Sequence, residues 1–157
     1  MKKLLGIVVL GLLWCNVGVA DNLKVIDGDT IVLNGEKIRF SGIDAPEYNQ
    51  DCMNGDTKVF CGVFAMVLLT KKRGDEKLKC IKEGRDVYGR TLAECFVNGE
   101  SLSSFLVRHG YAFAYRKYSK KFIKDEEYAR KNKIGMWVME FEFPWNFRKN
   151  KSKMALS

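Results

Sequence analysis

The sequence predicts an α+β protein in which a five-stranded β-barrel is packed by about three α-helices. Short segments of alternating apolar and polar residues recur along the chain between tight turns, a pattern that indicates β-strands. One longer segment has apolar residues at helical spacing. The 157 residues, 46% of them hydrophobic, suit one domain with its own core, and no repeat or linker divides the chain.

The N-terminal third is predicted to form a β-meander. Alternating segments indicate strands at residues 23–26, 30–33 and 37–43. The first turn contains Asp27-Gly28-Asp29, and Asn34-Gly35 is a strong signal for a two-residue hairpin. Three antiparallel strands would therefore begin the barrel.

A helix is expected after a polar loop at residues 48–57. Thr57 can cap the helix, which would run to about Lys72 and end at Gly74. Its apolar positions recur every three or four residues. They are Phe60, Val63, Phe64, Val67 and Leu68.

Two further strands, at residues 77–81 and 91–97, complete the set of five. Ser101 is placed to cap a second helix that ends at Arg108, and a third helix covers residues 120–132. Five short strands with an intervening helix best fit the five-stranded Greek-key barrel known as the OB-fold. This fold commonly binds oligonucleotides.

The first twenty residues have the composition of a secretory signal peptide. Lys2 and Lys3 form a positive n-region, residues 4–14 are apolar, and residues 18–20 form a small-residue cleavage site. The apolar run is short for a membrane span of about 20 residues. An uncleaved membrane anchor is the alternative interpretation.

This leader predicts export to the periplasm or the medium, with no stable membrane association after cleavage. The mature chain is expected to be a monomer. It would consist of one domain at residues 21–148 and a frayed basic tail at residues 149–157.

Removal of the leader also removes Cys15 and leaves four cysteines, an even number that indicates two disulfides in an exported chain. Three pairings are possible. Cys52 and Cys61 bracket a loop, and Cys80 and Cys95 would face each other across a hairpin, so these two pairs are favoured. A zinc site is the rival interpretation, but no pair has the C-x₂-C spacing of structural zinc sites.

The chain is basic, with 27 Lys and Arg residues against 19 Asp and Glu residues and a formal charge of +8. This charge favours a polyanionic partner, either nucleic acid or an anionic membrane surface. The helix at residues 120–132 is too polar for membrane binding. Because His109 is the only histidine, catalysis by paired or metal-bound histidines and by a Ser/His/Asp triad is excluded.

Residues 38–47 combine a strand with a turn that carries opposite charges. Arg39 precedes Asp44 by five positions, so a regular strand would place the two side chains on opposite faces. Either a bulge at Gly42 or the turn that follows must bring them together. Opposed charges at a strand end suggest a site for metal and phosphate. A surface salt bridge beside a turn is the alternative.

If the early strands meet in one barrel, Asp29 can converge with Asp44. Their oxygens are hard ligands of the kind that Ca²⁺ or Mg²⁺ takes. Glu47 could then deprotonate a water molecule, while Arg39 and Arg90 could hold a phosphate bidentately. Such a set could hydrolyse a phosphodiester.

These residues lie in motifs that resemble the signature of the staphylococcal-nuclease-like (thermonuclease) family. The resemblance covers residues 23–148, nearly the whole mature chain. The motifs are Val25-Ile26-Asp27-Gly28-Asp29-Thr30, Arg39 with Gly42-Ile43-Asp44-Ala45-Pro46-Glu47, Asp86-Val87-Tyr88-Gly89-Arg90-Thr91-Leu92-Ala93, Leu106-Val107-Arg108-His109-Gly110-Tyr111-Ala112, Gly135-Met136-Trp137 and Pro144-Trp145.

The resemblance implies an OB-fold nuclease that hydrolyses DNA and RNA with Ca²⁺ and leaves 3′-phosphate ends. It implies that Asp29, Asp44 and the backbone carbonyl of Ala45 bind the Ca²⁺, with Mg²⁺ less favoured. Asp27 would lie behind these ligands, and Glu47 would be the general base. Ala45 stands where the best-known member has threonine, a change of little consequence if only the main-chain oxygen is used.

The resemblance further implies that Arg39 and Arg90 contact the scissile phosphate and that Tyr88 and Tyr118 hold the nucleotide. Single-stranded or frayed nucleic acid is the favoured substrate. Val87 stands where the best-known member has a lysine near the terminal phosphate, so phosphate affinity is expected to fall there. The loop between the first two cysteines of the mature chain also differs in length.

A non-catalytic OB module that binds nucleic acid is the rival interpretation, because degenerate relatives lose the catalytic arginines or carboxylates. This chain retains all five of those residues, which favours an enzyme. They are Asp29, Arg39, Asp44, Glu47 and Arg90.

Overall fold

The computed structural model describes residues 21–155, and its largest element is a six-stranded mixed sheet. Within these residues there are ten strands and four α-helices. The strands are β1 (Leu23–Val25), β2 (Thr30–Leu33), β3 (Glu36–Phe40), β4 (Ile43–Asp44), β5 (Cys52–Asn54), β6 (Thr57–Val59), β7 (Lys79–Arg85), β8 (Thr91–Val97), β9 (Glu100–Ser101) and β10 (Phe113–Ala114). The helices are α1 (Cys61–Arg73), α2 (Leu102–Arg108), α3 (Ile123–Lys131) and α4 (Pro144–Met154), and a 3₁₀ helix spans Gly135–Val138.

The main sheet has the strand order β1-β2-β3-β8-β7, with β9 paired to the end of β8. β1, β2 and β3 form the predicted antiparallel meander. β3 then pairs in parallel with β8, so that Arg39 lies beside Leu92. The predicted combination of sheet and helices is confirmed. Over residues 21–155, however, the strand pairing does not close the sheet into the expected five-stranded barrel.

Gly42 explains why the third strand ends earlier than predicted. Its φ of +74° lies in the left-handed region, which glycine adopts without steric cost. The bend separates β3, which ends at Phe40, from β4. β4 pairs instead with β10 in a separate two-stranded sheet, where Asp44 lies opposite Phe113. The turn that carries the candidate site residues therefore leaves the main sheet.

The helix predicted from Thr57 begins at Cys61 instead. Thr57 lies in β6, which pairs with β5 where a polar loop is expected, and Gly55 with a φ of +59° supplies the turn. The backbone of residues 52–59 is therefore used in strand pairing. As a result, Thr57 cannot cap α1, whose N-cap position is occupied by Phe60 without a side-chain hydrogen bond.

The buried face of α1 also differs from the predicted apolar face. Ala65 and Leu69 are buried, whereas Phe60 and Phe64 are 57% and 50% exposed. The contacting face is made of small residues because the helix approaches the turn after β4 closely. A Cβ atom at Gly62 would lie 1.7 Å from the carbonyl oxygen of Glu47.

A fourth helix, α4, occupies most of the segment expected to be a frayed tail. It begins with Pro144 in its first turn, the position that proline favours in helices. The preceding residues are anchored in a second hydrophobic cluster around Phe113. The ring centroid of Phe113 lies 5.0 Å from that of Phe143, which stacks on Trp145 at 4.6 Å. This packing fixes the start of the helix against the fold.

The principal core lies between the main sheet and the helices α1 and α2. Ile38 and Phe40 of β3 pack there with Leu106 of α2. α2 begins as predicted, because the Ser101 hydroxyl oxygen accepts a hydrogen bond from the backbone N–H of Ser104 at 3.3 Å.

Both favoured disulfides are confirmed. Cys52 and Cys61 are joined with their Cα atoms 5.8 Å apart, which ties the β5–β6 hairpin to the first residue of α1. Cys80 and Cys95 are joined across the β7–β8 pair, with Cα atoms 4.0 Å apart. The predicted signal peptide lies outside the described residues. Within those residues, no helix is long and apolar enough to cross a membrane.

Candidate metal and phosphate site

Arg39 and Asp44 face each other because they belong to different strands. At Gly42 the chain bends out of the strand, so the odd spacing of the two residues no longer separates their side chains. Nη2 of Arg39 donates a hydrogen bond to Oδ1 of Asp44 at 2.6 Å. Asp44 is completely buried. The bend at Gly42 is therefore what brings the opposed charges together.

Asp29 joins this pair from the turn before β2. Nη1 of Arg39 donates to its Oδ1 at 2.6 Å, and the backbone N–H of Ala45 donates to its Oδ2 at 2.8 Å. The Asp27 carboxylate fixes the turn, because its Oδ1 accepts a hydrogen bond from the backbone N–H of Asp29 at 3.0 Å. The guanidinium of Arg39 thus lies between the carboxylates of Asp29 and Asp44, which converge on one point.

Burial dominates the electrostatics of Asp29. It raises the pKa of Asp29 to about 7, and the carboxylates of Asp27 and Asp44 act in the same direction, while Arg39 opposes them. Burial lowers the pKa of Arg39, but Asp29 and Asp44 outweigh it and the pKa is raised. The buried carboxyl of Asp29 therefore holds its proton more tightly than a carboxyl in water, mainly because of desolvation.

Arg148 is the residue that the sequence analysis missed at this site. It lies in α4, and its Nη2 donates to Oδ2 of Asp44 at 2.7 Å. Its Nη1 donates to Oε1 of Glu47 at 2.8 Å and to Oδ1 of Asp44 at 3.1 Å. Partial burial lowers the pKa of Arg148, but these carboxylates outweigh it and raise the pKa. The signal available in the sequence was a proline that starts a helix four residues before an arginine.

The turn that carries Glu47 is fixed from two sides. The Gln50 side chain is completely buried, and its Nε2 donates to the backbone carbonyl of Glu142 at 2.6 Å. The backbone N–H of Gln50 donates to the Glu47 carbonyl at 2.8 Å. On the other side, the backbone N–H of Gly62 donates to the Gln50 carbonyl at 3.1 Å. The Glu47 backbone is therefore held between α1 and the segment before α4.

Arg90 lies outside this cluster. Its Nε donates to Oδ2 of Asp86 at 2.6 Å, within the turn between β7 and β8. Burial tends to raise the pKa of Asp86, but the hydrogen bonds from Arg90 and from the Tyr88 backbone outweigh it and lower the pKa. Among the described residues, no hydrogen bond or ion pair joins Arg90 to Asp44 or to the other clustered carboxylates. Arg90 directly precedes β8, the neighbour of the strand that carries Arg39.

The two candidate nucleotide-binding tyrosines are both on the surface. Tyr88 is 82% exposed, and the Arg90 guanidinium carbon lies 5.4 Å from its ring centroid. Tyr118 is 69% exposed and meets Tyr115 edge-to-face at 4.9 Å. Tyr115 in turn stacks on Trp145 at 5.8 Å. Both predicted tyrosines are accessible, but they lie on different turns.

The donor atoms at this site suit a hard cation. Asp29 and Asp44 supply carboxylate oxygens, and the backbone N–H of Ala45 holds the Asp29 carboxylate in place. No group of three or more His, Cys, Asp or Glu side chains is placed to hold a metal in the part of the chain that the structure describes. A cation here would therefore take two carboxylates and complete its shell with backbone and water oxygens, as Ca²⁺ commonly does.

Comparison with known proteins identifies relatives of this chain. A family model described as "Staphylococcal nuclease homologue" matches residues 37–139. "Staphylococcal-like nuclease CAN1" of Arabidopsis thaliana is 33% identical over 73% of this chain, and "Succinoglycan biosynthesis protein ExoI" of Rhizobium meliloti is 31% identical over 73%. An "Uncharacterized endonuclease" of Haemophilus influenzae is 27% identical over 74%. The aligned regions cover 34%, 62% and 64% of these relatives, respectively.

Proposed function

Because this chain belongs to the staphylococcal nuclease homologue family, we propose that it is a nuclease that hydrolyses phosphodiester bonds of DNA and RNA with low sequence specificity. One observation carries the proposal: the Arg39 guanidinium lies between the buried carboxylates of Asp29 and Asp44. Arg148 donates hydrogen bonds to both Asp44 and Glu47 and so places Glu47 beside this cluster. Separate sequence motifs thus bring to one place the side chains that we propose hold a cation, bind a phosphate and act as the base.

The proposed cofactor is Ca²⁺, held by Asp29, Asp44 and the backbone carbonyl of Ala45. Ca²⁺ accepts irregular shells of carboxylate, carbonyl and water oxygens, whereas Mg²⁺ demands near-octahedral geometry. When bound, Ca²⁺ would supply positive charge to stabilise the negative charge that develops on the phosphate. The convergence of the Asp29 and Asp44 carboxylates at Arg39 supports a cation site, because a cation needs several oxygens at one place.

The protein's own side chains would position and deprotonate the nucleophile. Glu47 would accept a proton from a water molecule through a carboxylate oxygen. That water oxygen would bond to phosphorus while the bond from phosphorus to the 5′ oxygen breaks. The departing 5′ oxygen would take a proton from solvent, which leaves a 3′-phosphate and a 5′-hydroxyl. Arg39 would donate to a non-bridging phosphate oxygen.

Arg90 is proposed as the second phosphate-binding arginine. In this structure its Nε is held by Asp86, 2.6 Å away, so that the turn orients the guanidinium. Tyr88 lies beside it and is proposed to contact the nucleotide, as is Tyr118 from the opposite turn. Lys117 lies 5.4 Å from the Tyr118 ring and adds positive charge there. Both tyrosines have an exposed ring face on which a base can stack.

The proposed substrate is single-stranded or frayed nucleic acid, and the proposed location is outside the cytoplasm. Without Lys2 and Lys3 of the leader, the mature chain would keep 25 Lys and Arg residues against 19 Asp and Glu, a formal charge of 25 − 19 = +6. This charge supports binding to phosphates with an affinity that falls as salt rises. The two disulfides support an oxidising compartment. Cleavage after residue 20 would release the mature protein to the periplasm or the medium.

The function can be tested by digesting single-stranded DNA and RNA with purified protein that begins at Asp21, in the presence of Ca²⁺. We expect both to be cut at many sequences and the products to carry 3′-phosphates, detectable as a mobility change after 3′-phosphatase treatment. Products with 5′-phosphates would contradict the proposed bond cleavage. Tight binding without any cleavage would identify the chain as a non-catalytic nucleic-acid-binding module.

A further inference from the structure

A second concave surface lies beside the candidate site. It is a cleft of about 790 Å³ between α3, the residues after β10 and the segment that leads into α4. This volume falls within the range of about 300–1,000 Å³ that is typical of ligand sites. We call it the aromatic cleft. Its lining includes the basic residues Arg116, Lys117 and Arg130 and the aromatic residues Trp137, Phe143 and Trp145.

The walls of the aromatic cleft offer flat rings. Trp145 stacks on Phe143 with an angle of 9° and on Tyr115 with an angle of 2° between the ring planes. Nε1 of Trp137 is buried and has no hydrogen-bond partner among the described residues. Trp137 therefore contributes to the cleft through its ring, since the buried donor is shielded from a ligand in the open cleft.

The polar groups of the aromatic cleft are mainly cationic. Arg116 forms an ion pair with Glu126, the one carboxylate that lines the cleft. Glu126 also accepts a hydrogen bond from the backbone N–H of Ala114 at 3.1 Å, so both of its oxygens already have partners. Lys117 and Arg130 form no side-chain hydrogen bond or ion pair with the residues that the structure describes. Flat rings together with unpaired cations are the features that bind single-stranded nucleic acid.

The aromatic cleft and the candidate site share α4 and the neighbourhood of Gly42. Trp145 in its wall and Arg148 at the carboxylates lie three residues apart on α4, a spacing that places them on the same helix face. Tyr115 donates its backbone N–H to the carbonyl of Gly42 at 2.9 Å, directly beside the bend that forms the site. A strand bound at the carboxylates could therefore extend into the cleft.

We propose that the aromatic cleft is a binding subsite for the bases of single-stranded nucleic acid, adjacent to the scissile phosphate. The proposal rests on the nuclease function proposed above, and it adds a second binding surface outside the tyrosines at 88 and 118. Bases contact the aromatic rings that line the cleft, while Lys117 and Arg130 bind the phosphates. A duplex does not enter the cleft, because its bases are already stacked and paired.

Tryptophan fluorescence offers a direct test. The sequence has three tryptophans, and Trp14 lies in the predicted signal peptide, so a chain that begins at Asp21 keeps only Trp137 and Trp145. Both line the aromatic cleft. In chelator, which prevents the proposed Ca²⁺-dependent cleavage, we expect oligothymidylates of about ten nucleotides to quench the emission and a duplex of the same length to leave it nearly unchanged. Equal emission with and without the oligonucleotide would overturn the proposal.

Charge reversal gives the matched test. Arg130→Glu changes a cleft residue, whereas Lys131→Glu makes the same charge change at the next position of α3, which does not line the cleft. We expect Arg130→Glu to weaken binding of the ten-nucleotide strand about tenfold and to reduce the salt slope by about 0.7–1. The Lys131→Glu variant should change both much less. Equal losses in the two variants would overturn the assignment of the cleft.

The two proposals can fail separately. In one case, the wild-type protein cleaves single strands while its tryptophans stay unquenched and Arg130→Glu and Lys131→Glu bind DNA equally well. That result would contradict the subsite in the aromatic cleft and leave the proposed nuclease function standing. Quenching and selective loss in Arg130→Glu without any cleavage would support the subsite and contradict the nuclease.

Discussion

The Arg148 guanidinium donates hydrogen bonds to both carboxylate oxygens of Asp44, although the two residues lie 104 positions apart in the sequence. The same guanidinium reaches Glu47 at 2.8 Å. α4 is therefore part of the candidate site, because it places a positive charge where a metal ligand and a general base are proposed. Three carboxylates, those of Asp29, Asp44 and Glu47, are matched by only two guanidiniums, which leaves the cluster negative.

Arg148→Ala should increase the affinity for Ca²⁺. The substitution removes a positive charge from Asp44, and opposite charges at this range interact by several kcal/mol at most in partly buried sites. We expect binding about tenfold tighter by calorimetry without substrate. Without Ca²⁺ the variant should be less stable than wild type, because the buried Asp44 loses a partner, and Ca²⁺ should restore more of that stability.

Arg148→Lys is the control for this measurement, because it keeps the charge and loses the bidentate geometry. Its Ca²⁺ affinity should stay close to that of wild type. If Arg148→Ala and wild type bind Ca²⁺ equally, Arg148 and the cation do not share Asp44.

Glu47→Gln should lower the cleavage rate by about 10²–10⁴, because the amide cannot accept the proton of the attacking water. The fold and the Ca²⁺ affinity should be largely retained, since Asp29 and Asp44 are the proposed ligands. Rates measured with saturating substrate and Ca²⁺ would check this expectation. The exposed Glu127→Gln on α3 is the control. A variant at position 47 that cuts as fast as this control would exclude Glu47 as the base.

Gly62→Ala should reduce activity without unfolding α1. Alanine is favoured over glycine in a helix by about 1 kcal/mol. Here, however, the added Cβ would lie 1.7 Å from the Glu47 carbonyl oxygen, so the helix or the turn must shift. We expect lower kcat with little change in helical circular dichroism. Val63→Ala, at the next helix position, is the comparison and should keep its activity. Wild-type kcat in Gly62→Ala would show that the position of this turn does not limit catalysis.

Replacing Cys52 and Cys61 together with serine should lower the free energy of unfolding by about 2–3 kcal/mol, because the disulfide closes a loop of nine residues. Urea denaturation of the double variant and wild type would measure the difference. The loss of activity should be smaller than in Gly62→Ala, since Gln50 still holds the turn that carries Glu47 through its hydrogen bond to Glu142. An unchanged unfolding midpoint would contradict a stabilising role for this disulfide.

Local patterns predicted much of the fold. Residues 30–33 and 91–97 form the expected strands, and Ser101 begins a helix as a hydroxyl N-cap should. Both disulfides could also be predicted, because sequence-local loops and hairpins brought the paired cysteines close. These features depend on short-range chemistry, which is what a single sequence records well.

The features that the sequence did not predict depend on distant contacts. Thr57 has the chemistry of a helix cap, but strand pairing between β5 and β6 uses its backbone instead. The helical start of the basic C-terminal segment is held by packing of Trp145 and Phe143 near Phe113. The role of Arg148 follows from that packing. No local spacing indicates that it contacts Asp44.

The convergence of Arg39, Asp29 and Asp44 was partly predictable. The sequence shows the charged motifs, and the five-residue spacing of Arg39 and Asp44 requires a bend or bulge near Gly42 to bring their side chains to one side. The left-handed conformation of Gly42 supplies this bend and ends β3 before the turn. The position of Arg90, held by Asp86 away from the cluster, could not be derived from motif order alone.

The proposed activity depends on the carboxylates of Asp29 and Asp44 forming the Ca²⁺ site of a nuclease. The most direct measurement is cleavage of end-labelled single-stranded DNA by the chain from Asp21, first with Ca²⁺ and then with excess chelator, with Asp44→Asn alongside. We predict cleavage with Ca²⁺, none with chelator, and loss of activity in Asp44→Asn while its circular dichroism remains native. Cleavage that is as fast in chelator as with Ca²⁺, and as fast in a folded Asp44→Asn variant as in wild type, would show that these carboxylates do not form a Ca²⁺ site needed for cleavage.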